Sequence, residues 1–326
     1  MEEIRVGIIG FGSWPQQAYA PLLSELQGVR VVSVAAKSDE TLSLAHKIFG
    51  DDIVTTRNYQ QLFPASDIDA LMIALPNELH GEALLAAARS GKHIFFEPPV
   101  ATDPRMAARV LDGLGQCSGI VQADLELRYL PVLDAIQARI SRGSLGIPRM
   151  VRVRLWCDWG YSGGEWFDEV QQQDFFHWLG HWYLDVLDVF AGEPATRVAV
   201  LGGYAANGNL MDHGWASLEY PGGLLGQFEF NLTLPQGTVV ELDISCENGE
   251  LRADLKTGTW KWRGESGGWH REQTPASTPV CGFEGMRESI HGFVDAIRMG
   301  KTLRAGLEVA GRIQETAQLC VDAARL

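Results

Sequence analysis

The feature that most constrains this chain is its opening. An apolar run, Val6-Gly-Ile-Ile-Gly10, breaks directly into Phe11-Gly12-Ser13-Trp14-Pro15 and then into an amphipathic segment. A strand that turns through glycines into a helix is a phosphate cradle. Gly10 permits the tight turn, and Gly12 lets the backbone approach a pyrophosphate at the helix N-terminus. Pro15 stands where a third glycine is common; a first-turn proline is tolerated because its missing N–H has no intrahelical partner there. The alternation continues. Strands are expected at Ile4–Ile9, Arg30–Ala35, Ile53–Thr55, Ala70–Ile73, His93–Phe96 and Ile120–Ala123. Helices lie between them, such as Glu78–Ser90 with Gly91 as its stop. This is the pattern of an α/β Rossmann domain, a doubly wound parallel sheet with crossover helices.

Beyond residue 124 the period changes. After Arg128-Tyr129-Leu-Pro131 and a helix at Val132–Ser141, strands read at Arg149–Cys157, Arg197–Leu201, Trp215–Tyr220, Gly223–Thr233, Val239–Glu247, Glu250–Asp254 and Thr259–Arg263. Turns such as Tyr220-Pro-Gly-Gly223 and Glu247-Asn-Gly249 join them, so the second domain is α+β with a large, mostly antiparallel, open-faced sheet. One helix interrupts it at Gln173–Phe190, and Gly285–Met299 and Leu307–Ala324 close the chain. Glu265–Gly282, rich in Gly, Ser, Thr and Pro, reads as a mobile loop. The expected division is 1–124 for nucleotide binding and 125–326 for substrate and oligomerisation, the last helix packing back on the first domain. A length of 326 residues with 46% apolar content supports two such cores.

A net charge of −14 argues against nucleic-acid or anionic-membrane partners. No apolar run reaches 18 residues, and Met-Glu-Glu-Ile-Arg enters a strand without a basic leader, so a cytoplasmic protein is expected. The five scattered cysteines form no C-x-x-C pair, which favours neither a disulfide framework nor zinc. Trp156, Trp159, Trp166, Trp178 and Trp182 fall in one stretch. Such rings line pockets for flat or sugar-like ligands, and core packing is the alternative.

After the second strand, Ala36-Lys37-Ser38 follows where an NAD-selective domain commonly carries an acid for the ribose hydroxyl. Lys37 and Ser38 suit a 2′-phosphate instead, so NADP is expected over NAD. The competing reading is that Lys37 is simply a solvated loop lysine.

Several segments together resemble the glucose–fructose oxidoreductase/inositol dehydrogenase/MocA family: the glycine loop, Leu75-Pro76-Asn77-Glu-Leu-His80, and Gly91-Lys-His…Glu97-Pro98-Pro99. The resemblance implies a dinucleotide-dependent oxidoreductase whose open sheet face packs against another subunit, as a homodimer or homotetramer. It implies cofactor contacts at Gly10, Phe11, Gly12, Ser13, Trp14, Lys37, Ser38, Leu75, Pro76, Asn77, His80, Glu97 and Pro98. Family members carry Glu-Lys-Pro, whose lysine helps move the proton that accompanies hydride transfer; here Pro98 replaces it. They also carry Leu-Gly-x-His-x-x-Asp, and aligning Gly180 and Asp185 places Trp182 at the histidine. Both proton-transfer positions therefore depart from the family.

His181 and Asp185 are four apart and share a helix face, so an imidazole–carboxylate pair is the expected surrogate, with Tyr183 and Glu97 as further catalytic candidates. His177 and His181 have metal-compatible spacing but no evident third ligand, so no metal is expected. Both also read as hydrogen-bonded, partly buried helix residues. Substrate contacts are expected from Glu126, Arg128, Tyr129, Trp159, Trp166, His177 and Trp182. Arg128-Tyr129 resembles the family's substrate-side segment, where an arginine can hold a carboxylate. Asp124 and Asp174 are additional candidates, and Asp124-Leu-Glu126 reads as a strand end with both carboxylates on one face. The function read is hydride transfer to or from a small, conjugated or cyclic substrate. Biliverdin reductase-like members also lack the motif lysine. The alternatives are a non-redox NADP-binding protein and a lyase or isomerase that uses the cofactor transiently.

Overall fold

The computed structural model describes residues 3–158, 174–205, 210–265, 267–274 and 285–325. Trp159, Trp166, Cys281 and the start of the helix expected at Gln173 lie outside them. Most element boundaries match the sequence reading to within one or two residues.

The first unit takes in Met1–Leu125 and Met286–Gly311. Its strands are β1 (Ile4–Ile9), β2 (Val29–Ala35), β3 (Val54–Thr56), β4 (Ala70–Ile73), β5 (His93–Phe96) and β6 (Val121–Ala123). All pair in parallel in the order β3-β2-β1-β4-β5-β6. The crossovers are α1 (Ser13–Glu25), α2 (Asp39–Phe49), α3 (Asn77–Ser90) and α4 (Pro104–Gly115). Local signals set several of these ends: Ser38 and Asp103 side chains accept first-turn N–H bonds of α2 and α4, and Gly91 closes α3 in the left-handed conformation. Strand order reverses beside β1 and β4, so their carboxyl ends open a crevice at the topological switch point.

The second unit takes in Glu126–Pro279 and Arg312–Leu326. After α5 (Pro131–Ser141) it carries β7 (Pro148–Cys157), the helix α6 (His181–Ala191), β8 (Arg197–Gly203), β9 (His213–Glu219), β10 (Leu225–Asn231), β11 (Thr238–Cys246), β12 (Gly249–Asp254), β13 (Thr259–Gly264) and β14 (His270–Gln273). The sheet order is β14-β13-β12-β11-β7-β10-β9-β8. All pairs are antiparallel except β7 with β10. The chain closes on α7 (Met286–Met299) and α8 (Leu307–Ala324).

Three expectations change. The segment expected as a mobile loop contains β14, which pairs with β13. The expected helix at Gln173–Phe190 is, in its described part, a π-helical turn at Phe176–Gly180 running into α6. And β6 stops at Ala123, so Asp124 and Glu126 do not share a strand face; Glu126 opens a 3₁₀ turn, Glu126–Tyr129.

Period-2 alternation splits the large sheet into two faces. Along β10, Phe228 and Phe230 point inward, where Tyr183 and Phe175 stack on them at 5.3 and 3.9 Å between ring centroids. Burying such a side chain stabilises the fold by about 1.5–3 kcal/mol. The opposite face carries a ladder of cross-strand ion pairs: Arg152 with Asp243 and Glu229, and Arg154 with Glu241 and Glu229. Beside it Met150, Leu201, Trp215 and Leu225 are 56%, 71%, 47% and 46% exposed.

Candidate functional site

The dinucleotide features gather at the carboxyl ends of the parallel strands. Gly10 has φ 84°, and a Cβ there would collide with the Ala74 carbonyl oxygen. Only glycine allows the loop after β4 to lie this close. Gly12 caps α1 without a side-chain hydrogen bond, and the first turn holds no acidic residue. A Cβ on Gly12 would meet nothing within 4 Å. A helix start without a side-chain cap, with open space beside Gly12, fits an anion such as a pyrophosphate. Phe11 packs inward against Phe49, and Ser13 is exposed.

Behind this turn, Pro76 caps α3 and Asn77 begins it. His80 is fully buried with Nδ1 2.8 Å from the Pro99 carbonyl and Nε2 2.6 Å from that of Leu75. It thus ties the loop after β4 to the loop after β5. Burial depresses its pKa, and the two carbonyls oppose that shift. Pro98 is buried and offers no titratable group.

Glu97 faces α1. Its Oε1 accepts from Trp14 Nε1 at 2.6 Å and from the Tyr19 hydroxyl. Burial raises its pKa to about 7, while the Tyr19, Asp124 and Trp14 bonds limit the rise. Asp124 Oδ1 accepts from Ser289 Oγ at 3.2 Å, and Gln122 Nε2 donates to that hydroxyl at 3.1 Å. On the ribose side, Lys37 is exposed, and the Ser38 hydroxyl accepts from Thr41 N and donates to Thr41 Oγ1.

In the second unit the expected His181–Asp185 contact does not form. Asp185 is fully buried and takes the guanidinium of Arg128, with Nε at 2.9 Å. Arg128 also reaches Asp188 at 2.6 Å, and Arg312 closes on Asp188 at 2.9 Å. Arg128, expected to contact substrate, is thus held between two buried carboxylates. Burial pushes the Asp185 carboxyl up to about 6, with Arg128 pulling against it. His181 is buried, and burial together with neighbouring His177 lowers its pKa to about 3, so it is neutral near pH 7 and cannot act there as an acid. Tyr183 stacks on Phe228 in the core, and burial raises its pKa. Trp182 is half-buried against the same core, with Nε1 buried and unbonded. Glu126 and Tyr129 are buried in the 3₁₀ turn.

A different imidazole is oriented. His177 Nδ1 lies 2.7 Å from Asp174 Oδ2, its backbone N–H donates to the other carboxylate oxygen at 2.7 Å, and Nε2 lies 3.4 Å from Gln314 Nε2. Burial raises the Asp174 pKa, but the His177 contacts more than reverse it, leaving the carboxyl below its usual range. The sequence reading named Asp174 and His177 but not as a pair. Tyr19, Asp188, Ser289, Arg312 and Gln314 went unseen; Asp188, three residues after Asp185, carried the only sequence signal. Among the described residues no His/Cys/Asp/Glu cluster suits a metal.

If Arg128 is structural, Arg128→Ala should destabilise the protein by roughly 3–5 kcal/mol in denaturant unfolding, because buried Asp185 loses its guanidinium and Asp188 keeps only Arg312. A loss below about 1 kcal/mol with impaired ligand binding would restore the clamp.

Comparison with known proteins agrees with this geometry. Residues 4–124 match the family model described as an oxidoreductase family with an NAD-binding Rossmann fold, and residues 133–252 match the GFO/IDH/MocA C-terminal domain. An uncharacterised oxidoreductase, ORF334, of Rhizobium meliloti is 28% identical over 152 residues, 47% of this chain and 45% of that protein, so the match spans about half of that relative's length. An inositol 2-dehydrogenase/D-chiro-inositol 3-dehydrogenase of Lacticaseibacillus casei is 25% identical, over 76% of this chain and 72% of its own. Levoglucosan dehydrogenase, solved with NADH and levoglucosan, superposes with TM-score 0.87 at 18% identity, covering 99% of this chain and 98% of its own. A myo-inositol 2-dehydrogenase from Lactobacillus plantarum does so with TM-score 0.84 at 21% identity, covering 99% and 98%. With both domains matched in order along one chain, this protein belongs to the Gfo/Idh/MocA family of oxidoreductases.

Proposed function

We propose that this chain is an NADP-dependent oxidoreductase that moves a hydride to or from a small, cyclic, hydroxylated substrate. The observation that carries the reading is the turn Gly10–Trp14, with no side-chain cap and open space beside Gly12, in a chain matched to the family in both domains. The nicotinamide, when bound, supplies the hydride acceptor or donor. The turn's N–H groups would hold the pyrophosphate, and Leu75, Pro76 and Asn77 would line its path, with His80 fixing the loop. Because the Ser38 hydroxyl is already engaged in capping α2, selectivity for a 2′-phosphate would rest on Lys37. The inositol and levoglucosan dehydrogenases among the similar proteins support a cyclic, sugar-like substrate.

Proton transfer is the unusual part. Pro98 and Trp182 cannot take a proton, and His181 is neutral with no tendency to gain one. His177, aligned by Asp174, would then exchange the proton at Nε2, in the manner of a base oriented by a carboxylate. The outward sheet face, half ion-pair ladder and half exposed Met150, Leu201, Trp215 and Leu225, suits a second copy of the chain. A groove of about 650 Å³ lined by Met150, Arg197 and Leu225 lies on it. No helix among the described residues is long and apolar enough to cross a membrane, which is compatible with work in the cytoplasm.

Three outcomes test these proposals. In fluorescence titrations NADPH should bind more tightly than NADH, and Lys37→Ala should weaken NADPH alone by about tenfold, the loss of one charge-assisted contact; equal affinities would end the NADP assignment. A screen of cyclic polyols and anhydrosugars with NADP⁺ should show turnover well below the enzyme median of about 10 per second. His177→Gln should cut what remains by roughly 100-fold or more. Turnover at the median, or an unaffected His177 variant, would reject this proton route, and binding without any hydride transfer would favour a non-redox role. Finally, sedimentation should show a dimer or tetramer that Trp215→Glu dissociates; a wild-type monomer at micromolar concentration would remove the sheet-face assembly.

A further inference from the structure

Three loops follow the carboxyl ends of β1, β4 and β5, and each pair of them is joined by a contact. Gly10 after β1 lies against the Ala74 carbonyl after β4, and Ala74 N donates to Ile9 O at 2.8 Å. His80, in the first turn of α3, joins the loop after β4 to the loop after β5 through the carbonyls of Leu75 and Pro99. The third join runs from β5 back to the segment after β1, and one side chain makes it. Glu97 Oε1 accepts from Trp14 Nε1 at 2.6 Å and from the Tyr19 hydroxyl, both on α1.

Glu97 is itself anchored. Its backbone N–H donates to Ile73 O at 3.0 Å, so the residue keeps its place beside β4 whatever its side chain does. Its side chain is buried, with the carboxyl turned to α1. Trp14 is the second residue of α1, two beyond Gly12, in the turn read above as the seat of a pyrophosphate. A Cβ on Gly12 would meet nothing within 4 Å, so the indole drawn to Glu97 leaves the space beside Gly12 open. A turn already held in its binding shape need not be ordered when the ligand arrives, and that ordering otherwise weakens affinity.

We propose that Glu97 is a positioning residue for the cofactor turn: through Trp14 it fixes the start of α1 against the end of β5, in the shape that receives a dinucleotide. The inference rests on the dinucleotide reading above. In this role Glu97 acts through the indole and not by its own contact with the cofactor. With the join removed, Trp14 regains its rotamers, and binding must first immobilise it. Tyr19, one turn further along α1, shares the same oxygen but lies outside the turn, so its hydroxyl supports the helix and not the cofactor.

Calorimetric titration of the full chain with NADPH and with NADH tests this. Glu97→Ala should weaken the tighter-binding nucleotide by roughly three- to tenfold, the net worth of a hydrogen bond expressed as affinity. Glu97→Gln should recover most of that loss, because an amide oxygen can accept from both donors. Trp14→Phe keeps a ring but removes the N–H, so it should cost about as much as Glu97→Ala, and the double variant no more than either change alone. Tyr19→Phe should lower the melting temperature and leave nucleotide affinity where it was, which separates positioning from support of the fold. Glu97→Ala binding like wild type, Glu97→Gln as weak as Glu97→Ala, losses that add in the double variant, or a Tyr19→Phe loss equal to that of Glu97→Ala would each overturn the proposal and leave the dinucleotide reading standing. Trp14→Phe leaves the buried carboxyl in place, so it decides alone if Glu97→Ala does not fold: unchanged affinity there overturns the proposal. A wild type that binds neither nucleotide would overturn both.

Discussion

The backbone of Gly10 pressed against the Ala74 carbonyl is the contact on which the rest of the first unit's site depends. Any side chain there would push β1 and β4 apart at their carboxyl ends, where strand order reverses. Because they stay close, α1 starts directly behind β1 with an uncapped first turn, and Trp14 and Tyr19 on its first two turns reach Glu97 after β5. His80 then fastens the next two loops to each other. Gly10 therefore sets how closely the ends of β1 and β4 approach, beside the buried carboxyl of Glu97.

The chain handles its buried ionisable groups in three physically distinct ways. Arg128, Asp185, Asp188 and Arg312 compensate one another as ions, which keeps Arg128 charged although burial opposes it. Glu97 and Asp124 are met by neutral hydrogen-bond donors, Trp14 and Tyr19 for the one and Ser289 for the other. His181 escapes the cost of burial by staying neutral. These answers decide orientation as much as stability: Asp185 is held by a guanidinium, whereas Asp174 is turned to the Nδ1 of His177 at 2.7 Å.

Much of the architecture was legible because it rests on local rules. Alternating apolar runs, the Gly10–Gly12 turn, the Gly91 stop and the hairpin turns each state a backbone requirement within a few residues. The misreadings share a cause. Asp124 and Glu126 were placed on one strand face by alternation, but β6 ends a residue earlier and the chain turns into a 3₁₀ helix. His181 and Asp185 stand four apart as a pair should, yet Arg128, 57 residues before Asp185, claims the carboxylate. A charged partner with several donors outcompetes a neutral imidazole for a buried carboxylate. Helical spacing lists possible neighbours; it does not rank them.

The sequence by itself determined the order of the two domains, the parallel and antiparallel character of their sheets, the cofactor turn and the loss of a titratable side chain at residues 98 and 182. Those properties depend on residue identity and on periods of 2 and 3.6, which survive without any long-range contact. Only the tertiary structure decided which donors meet the buried carboxyl of Glu97, which carboxylates the Arg128 guanidinium pairs with, and which histidine is oriented. Each of those outcomes turns on burial and on partners such as Gln314, 137 residues from His177, because desolvation and hydrogen bonding act through space rather than along the chain.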